Sequence, residues 1–259
     1  MYQYFNELLN SPILATLFTA TVPLVWILLV ALFGVYAERK ISARIQDRIG
    51  PNRVGWKGLL QTVADFIKML QKEDIISNEA DSKLFNLAPI LVFTGSFAAF
   101  AAIPFSSKLI GSEIEVGVFF ILAISSLVVA GILMAGWSGN NKYSLLGAMR
   151  SAAQIVSYEI PTALVVLTMV MLTGTLSLDQ ISQMQTSSFW NWYIFGGPDM
   201  GIIKIILIPF MIIGFLILYI STLAEVNRVP FDIPEAESEL VAGYFTEYAG
   251  MKWAIFMLS

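Results

Sequence analysis

A chain of 259 residues that is 57% hydrophobic and only 13% charged falls well short of the roughly 25% charged residues usual in soluble domains. Its net charge of −4 offers no basic surface to nucleic acid. Without Cys or His it has no thiolate for an iron–sulfur cluster, no His or Cys axial ligand for haem and almost no ligand set for structural zinc, so any electrons it works with are carried by partners.

The first charge-free run has 30 residues, between Glu7 and Glu38, more than the roughly 20 that a spanning helix needs. No Lys or Arg precedes it and it exceeds the core of a signal peptide, so it reads as a retained span at 12–37. Further runs predict spans at 84–105, 116–138, 152–175 and 202–224. A sixth run, expected at 248–259, has too few residues after Lys252 to cross a bilayer, so the sequence is expected to end inside a helix, as a fragment or a split product. The fold expected is an all-α polytopic transmembrane helix bundle, one membrane domain over 1–259, with no linker or repeat.

Lys and Arg set the orientation. The segment from Glu38 to Lys83 holds nine of them, and Lys142, Arg150 and Arg228 fall in later loops of the same side. The opposite side has only Lys108, with Lys204 and Lys252 near boundaries. By the positive-inside rule the odd-numbered loops face the cytoplasm and the N-terminus lies outside.

Two loops are unusual. In the first, AERKISARIQDRIGPNRVGWKG reads as a basic, strand-like segment turned back at Gly50-Pro51 and Gly55. It runs into a 56–73 amphipathic surface helix with an apolar stripe of Trp56, Leu59, Leu60, Val63, Phe66, Ile67 and Leu70. Such a helix either anchors the loop at the bilayer interface or helps to roof a cavity open to lipid. In the fifth loop, 225–247, Glu225, Asp232, Glu235, Glu237, Glu239 and Glu247 stand against one base, Arg228. That is either a solvated acidic loop or a set of carboxylates in a partly dry setting. Interleaved Val226, Val229, Phe231, Ile233, Leu240 and Val241 favour the second. Crowded carboxylates raise one another's proton affinity and titrate as a unit.

Glu159 lies within the apolar run AAQIVSYEIPTALVVL, two residues before Pro161. An ionised carboxylate at depth costs roughly 2.5–3.5 kcal/mol on insertion scales. A neutral Glu bonded across helices is one reading; an acid lining a proton path is the favoured one, with Gln154, Ser157 and Tyr158 as candidate polar company.

ERKISARIQDRIGPNRVG, LQTVADFIKMLQKEDI, NKYSLLGAMRSAAQIVSYEIP and AEVNRVPFDIPEAESELVAGYFTEYAGMKWA together resemble the quinone-site membrane subunit of complex I, called subunit 1 in mitochondria and the H subunit in bacteria. The resemblance covers essentially the whole chain. One departure is Ser77, where the family usually has Pro.

The resemblance implies eight transmembrane helices in the full family fold. It places Glu38, Arg39, Arg48, Arg53, Asp65, Arg228 and Phe231 at the quinone tunnel, and Glu159, Glu225, Asp232, Glu235, Glu237, Glu239 and Glu247 on a proton path. It implies ubiquinone or menaquinone as substrate, and FMN and iron–sulfur clusters only in partner subunits. Partners would be the iron–sulfur and quinone-site subunits of the hydrophilic arm and the small and antiporter-like membrane subunits. The lipid would be a bacterial inner membrane. Rival readings are the equivalent subunit of an energy-converting membrane-bound hydrogenase and, more remotely, a stand-alone transporter or channel. Against the transporter stands the lack of an internal pseudo-repeat.

Overall fold

The computed structural model describes residues 5–6, 11–106, 109–110, 114–185, 188–198, 201, 203–234 and 236–258. Among the described residues, five helices are long and apolar enough to cross a membrane: α1 (Pro12–Ile45), α3 (Ser82–Ala99), α4 (Gly117–Ser138), α5 (Lys142–Thr173) and α7 (Ile203–Glu225). Further helices among the described residues are α2 (Gln61–Gln71), α6 (Leu178–Met184), α8 (Glu237–Leu240) and α9 (Gly250–Leu258). The described residues divide into two compact units. One is Asn78–Glu247; the other joins the residues up to Ser77 with those from Tyr248 onward.

In the unit Asn78–Glu247, α3 packs on α4, α4 on α5 and α5 on α7. Phe85, Ala88 and Val92 of α3, Ile132 and Ala135 of α4, and Ala148 of α5 are buried. Lipid-facing helices gain no hydrophobic drive from packing together, so close contact must come from small residues. A Cβ on Gly131 would stand 2.5 Å from Val92 Cγ2, and one on Gly136 would stand 2.2 Å from Ala148 Cβ. Side chains at the helix starts take up orphan backbone donors. Asp81 accepts from the backbone N–H groups of Lys83 and Leu84, at 3.1 and 3.3 Å, and Asn141 from that of Tyr143 at 2.9 Å. Pro89, Pro161 and Pro209 sit inside α3, α5 and α7, as spanning helices tolerate when neighbours satisfy the freed backbone groups.

Some boundaries differ from those expected. Helix α5 begins at Lys142 rather than near 152, because Asn141 caps it there and Ser144, Gly147, Ala148 and Ser151 give its first turns a face small enough to bury. That leaves three residues between α4 and α5. The loop after α3 forms a short antiparallel hairpin, β1 (Pro104–Ser106) with β2 (Leu109–Ile110), that the sequence did not suggest. At the same end of the bundle the Val118 N–H donates to the Leu176 carbonyl at 3.0 Å, and Phe189, Trp190, Trp192 and Phe195 cluster with ring centroids 4.7–6.2 Å apart.

In the other unit, α1 runs 34 residues from Pro12, about 51 Å at 1.5 Å per residue. It therefore carries Glu38, Arg39, Lys40 and Arg44 in its own last turns, and the segment read as strand-like is helical to Ile45. Its chain then reverses. Gly58 has φ +83 and a Cβ there would stand 2.2 Å from the Pro51 carbonyl oxygen, so only glycine lets these strands of backbone pass. The Tyr36 hydroxyl donates to the Lys57 carbonyl at 3.2 Å, tying the turn to α1. Helix α2 follows, and α9 packs against it, with Lys252 and Asp74 paired at 2.7 Å.

Candidate functional site

Within Asn78–Glu247, α5 is the spine on which the acidic loop lies. Helix α7 ends at Glu225, and Asn227 takes a left-handed φ of 49°, which Asn tolerates better than most residues. The side-chain amide of Asn227 then donates to Ser151 Oγ at 3.3 Å. Gln154 completes the clamp: its Nε2 donates to the Ala224 carbonyl at 2.8 Å, Asn227 Oδ1 at 3.0 Å and the Phe231 carbonyl at 2.9 Å. With two protons for three acceptors, one bond is shared. The Phe231 ring meets Tyr158 edge-on at 5.1 Å between centroids.

From α8 onward the loop runs back along α5 towards its start. Glu239 accepts from Arg150 at 2.6 Å. The Ser144 hydroxyl donates to the Tyr244 carbonyl at 2.8 Å, where Gly147 faces Gly243 so closely that a Cβ would stand 2.7 Å from its Cα. Glu247 accepts from the Asn141 amide at 2.6 Å.

Three of the acids, Glu225, Glu239 and Glu247, are thus spaced along one helix. Glu247 meets position 141, Glu239 meets 150, and Glu225 lies within electrostatic range of Glu159. Nine residues of helix separate each step, about 14 Å. Asp232 is exposed. Glu235 and the Glu237 side chain fall outside the described residues. Glu159 finds its company across the helix interface. Ser125 and Ser126 of α4 donate to its Oε1 at 2.7 and 3.1 Å. Of the candidates on its own helix, Gln154 serves the loop, Ser157 donates to the Ala153 carbonyl at 2.6 Å, and Tyr158 meets the Phe231 ring edge-on.

Arg228 is exposed, and Phe231 half-buried at the Gln154 clamp. The five remaining tunnel candidates belong to the other unit. Arg39 of α1 and Asp65 of α2 form an ion pair, and Gln61 Nε2 adds a bond to Asp65 Oδ1 at 3.0 Å. Burial pushes the Asp65 carboxyl up, but the bonds from Arg39 and Gln61 and the charges of Arg39 and Lys68 outweigh it and hold the group below its usual value. Glu38, Arg48 and Arg53 are exposed. So is most of the α2 stripe, at Trp56, Leu60, Phe66, Ile67 and Leu70, because the polar face of that helix is the one turned to Arg39.

Sequence reasoning missed Ser125, Ser126, Asn141, Arg150 and Asn227. Two adjacent hydroxyls in the otherwise apolar run AISSLVV were the available signal for the first pair. The others were hidden because a cap, a surface cation and a helix terminus carry no local mark of their distant partner.

The family model described as NADH dehydrogenase matches residues 18–259. The H subunit of the NADH-quinone oxidoreductase of Chlorobaculum tepidum is 54% identical over 249 residues, covering 95% of this chain and 66% of that protein. Its counterpart in Chlorobaculum parvum is 55% identical over 243 residues, covering 93% and 65%. An H subunit of the same enzyme in Cytophaga hutchinsonii, the one numbered 2, is 49% identical over 258 residues, covering 94% and 71%. The chain therefore spans about two thirds of the length of these relatives.

Proposed function

On the footing that the chain belongs to the NADH dehydrogenase family, we propose that it is a membrane subunit of a proton-pumping NADH:quinone oxidoreductase, contributing to the quinone chamber and to the proton path that couples quinone reduction to translocation. Reduction of a quinone takes up two electrons and two protons. In this reading the electrons come from FMN and iron–sulfur clusters in partner subunits, as the resemblance to complex I implies. Glu38, Arg39, Arg48, Arg53, Asp65, Arg228 and Phe231 serve the quinone; Glu159, Glu225, Asp232, Glu235, Glu237, Glu239 and Glu247 serve the protons. The wider assembly is the hydrophilic arm with the small and antiporter-like membrane subunits, in a bacterial inner membrane, the N-terminus outside and the basic and acidic loops cytoplasmic.

The observation that carries this reading is the Gln154 clamp. One amide holds Ala224, Asn227 and Phe231 together, at the start of the acidic loop and five residues from Glu159 on the same helix. A charge change beside Arg228, which adjoins Asn227, or beside Phe231, whose carbonyl closes the clamp, therefore has a short path of covalent and hydrogen bonds to Glu159 and Glu225. That contiguity supports the loop as the element that both sites would bias.

The test is Glu159→Gln and Glu225→Gln, each in the assembled complex reconstituted in proteoliposomes. Both should lower NADH:quinone turnover and the proton gradient by about 100-fold or more, the scale of removing one proton-transfer group. Electron transfer from NADH to an artificial acceptor at the flavin should stay at the wild-type rate. Wild-type quinone turnover with a wild-type gradient in both variants would sink the reading.

A further inference from the structure

We infer that Ser125 and Ser126 are positioning residues for Glu159, two hydroxyl rotors that hold its Oε1 in either protonation state. The inference rests on the proposed role of Glu159 in proton transfer. Consecutive helix positions point about 100° apart, so two neighbouring side chains rarely serve one atom. Here both do: Ser125 Oγ lies 2.7 Å and Ser126 Oγ 3.1 Å from Glu159 Oε1.

Each hydroxyl also has a second acceptor. The Leu122 carbonyl of α4 stands 2.8 Å from Ser125 Oγ and 3.4 Å from Ser126 Oγ. A serine hydroxyl has one proton to donate and lone pairs to accept with, so two settings exist. When Glu159 is ionised, both O–H groups point at Oε1, as charge-assisted bonds favour. When a proton is on Oε1, that O–H donates to Ser125 Oγ, and the Ser125 proton swings to the Leu122 carbonyl. In the second setting Ser126 goes on donating to Oε1, and in the first the Leu122 carbonyl gives up only its hydroxyl donors. No serine proton leaves its oxygen; the proton gained by Glu159 arrives from the path and returns to it.

A cation in the same place would favour the ionised setting alone. Helix α4 carries no ionisable residue at all, so it imposes no charge on Glu159. Glu225 of α7 is the carboxylate within range, and Tyr158 adjoins it on α5. The arrangement keeps the carboxyl oriented while leaving its proton exchangeable, which is what a relay group inside a bundle needs.

The experiment uses the assembled complex with S125A/S126A, S125T/S126T or E159Q. Redox-induced infrared difference spectra identify the Glu159 carboxyl band as the one lost in E159Q. In S125A/S126A that band should move to higher wavenumber, since Oε1 loses its donors, and quinone-coupled turnover should fall about tenfold, the scale of one hydrogen bond to a charged group. The threonine pair keeps both hydroxyls and should restore band and rate. A complex that fails to assemble with both alanines passes the test to S126A alone, read by the same band. An unshifted band with wild-type turnover overturns the inference, while E159Q remains impaired. Wild-type behaviour of E159Q would instead remove the proton-path reading beneath it.

Discussion

The two compact units solve one problem with different chemistry. In the unit containing α1 and α2, Asp65 faces the guanidinium of Arg39 and Asp74 faces the ammonium of Lys252. In Asn78–Glu247, Glu159 faces two hydroxyls and Glu247 an amide. Gln154, another neutral donor, holds the acidic loop. An opposite charge stabilises only the ionised form of an acid, whereas rotatable neutral donors serve either form. The first arrangement fixes a charge; the second permits it to change. The difference explains why the proposed proton-exchanging acid lies in the second unit, and why Asp65 fits a role in orienting a bound group.

The most damaging way to break the neutral-donor unit is Gln154→Leu. It leaves the buried acceptors at Ala224 and Asn227, and the half-buried one at Phe231, without their shared donor, and should cost about 1–3 kcal/mol, the penalty of stranding such groups. Thermal unfolding of the detergent-solubilised chain, followed by helical circular dichroism, measures it. Proteolysis should also cut first between Val226 and Glu247 in the variant. A melting curve and a cleavage pattern like those of the wild type would show that the loop is held by other contacts.

A smaller effect sharpens the charged side. Because the Asp65 carboxyl is held below its usual value in the folded chain, its stabilising contribution is complete above the unfolded value of about 3.9. The contribution is lost as pH falls through the depressed folded value. Asp65→Asn should therefore flatten the acid limb of stability below about pH 4, and Arg39→Met should shift that limb upward towards the ordinary carboxylate range. Melting temperatures between pH 3 and pH 7 decide it. An acid limb unchanged in both variants would mean that the pair contributes nothing to the folded state.

Long-range periodicity was readable in the sequence, and partnership was not. The five apolar runs found their helices because an uncharged stretch long enough to span is a local property, and the repeat of Val63, Phe66, Ile67 and Leu70 falls on α2, although that helix starts at Gln61 rather than at 56. The Gly50-Pro51 and Gly55 turn was legible for the same reason. The start of α5 was misplaced since Lys142 and Arg150 look like loop residues until Asn141 is known to cap the helix. Glu38 to Ile45 read as strand-like because its charges interrupt the hydropathy, yet a helix leaving the bilayer carries charges at no cost to its backbone. Glu159 could be singled out by its setting. Its donors could not, since they lie 33 and 34 residues away on another helix. The acids of the fifth loop were legible as a set, but their spacing along α5 depends on contacts such as Glu239 with Arg150, 89 residues apart.

Among the described residues, Arg150 and Glu239 run against the contrast, as a charged pair in the neutral-donor unit. It lies at the surface, with 35% and 59% of the two side chains exposed. Water screens such a pair, and ordering two long side chains offsets much of the attraction, so exposed ion pairs contribute about 0–1 kcal/mol. Arg150→Gln, Glu239→Gln and the double variant form a cycle that isolates the pairwise term. A coupling below about 0.5 kcal/mol, fading further in high salt, would leave Glu239 loosely held and free to change protonation, like the acids bound by neutral donors. A coupling well above about 1 kcal/mol that persists in salt would instead make Arg150 a fixed counter-charge, and the contrast between the two units would no longer hold at this step of the loop.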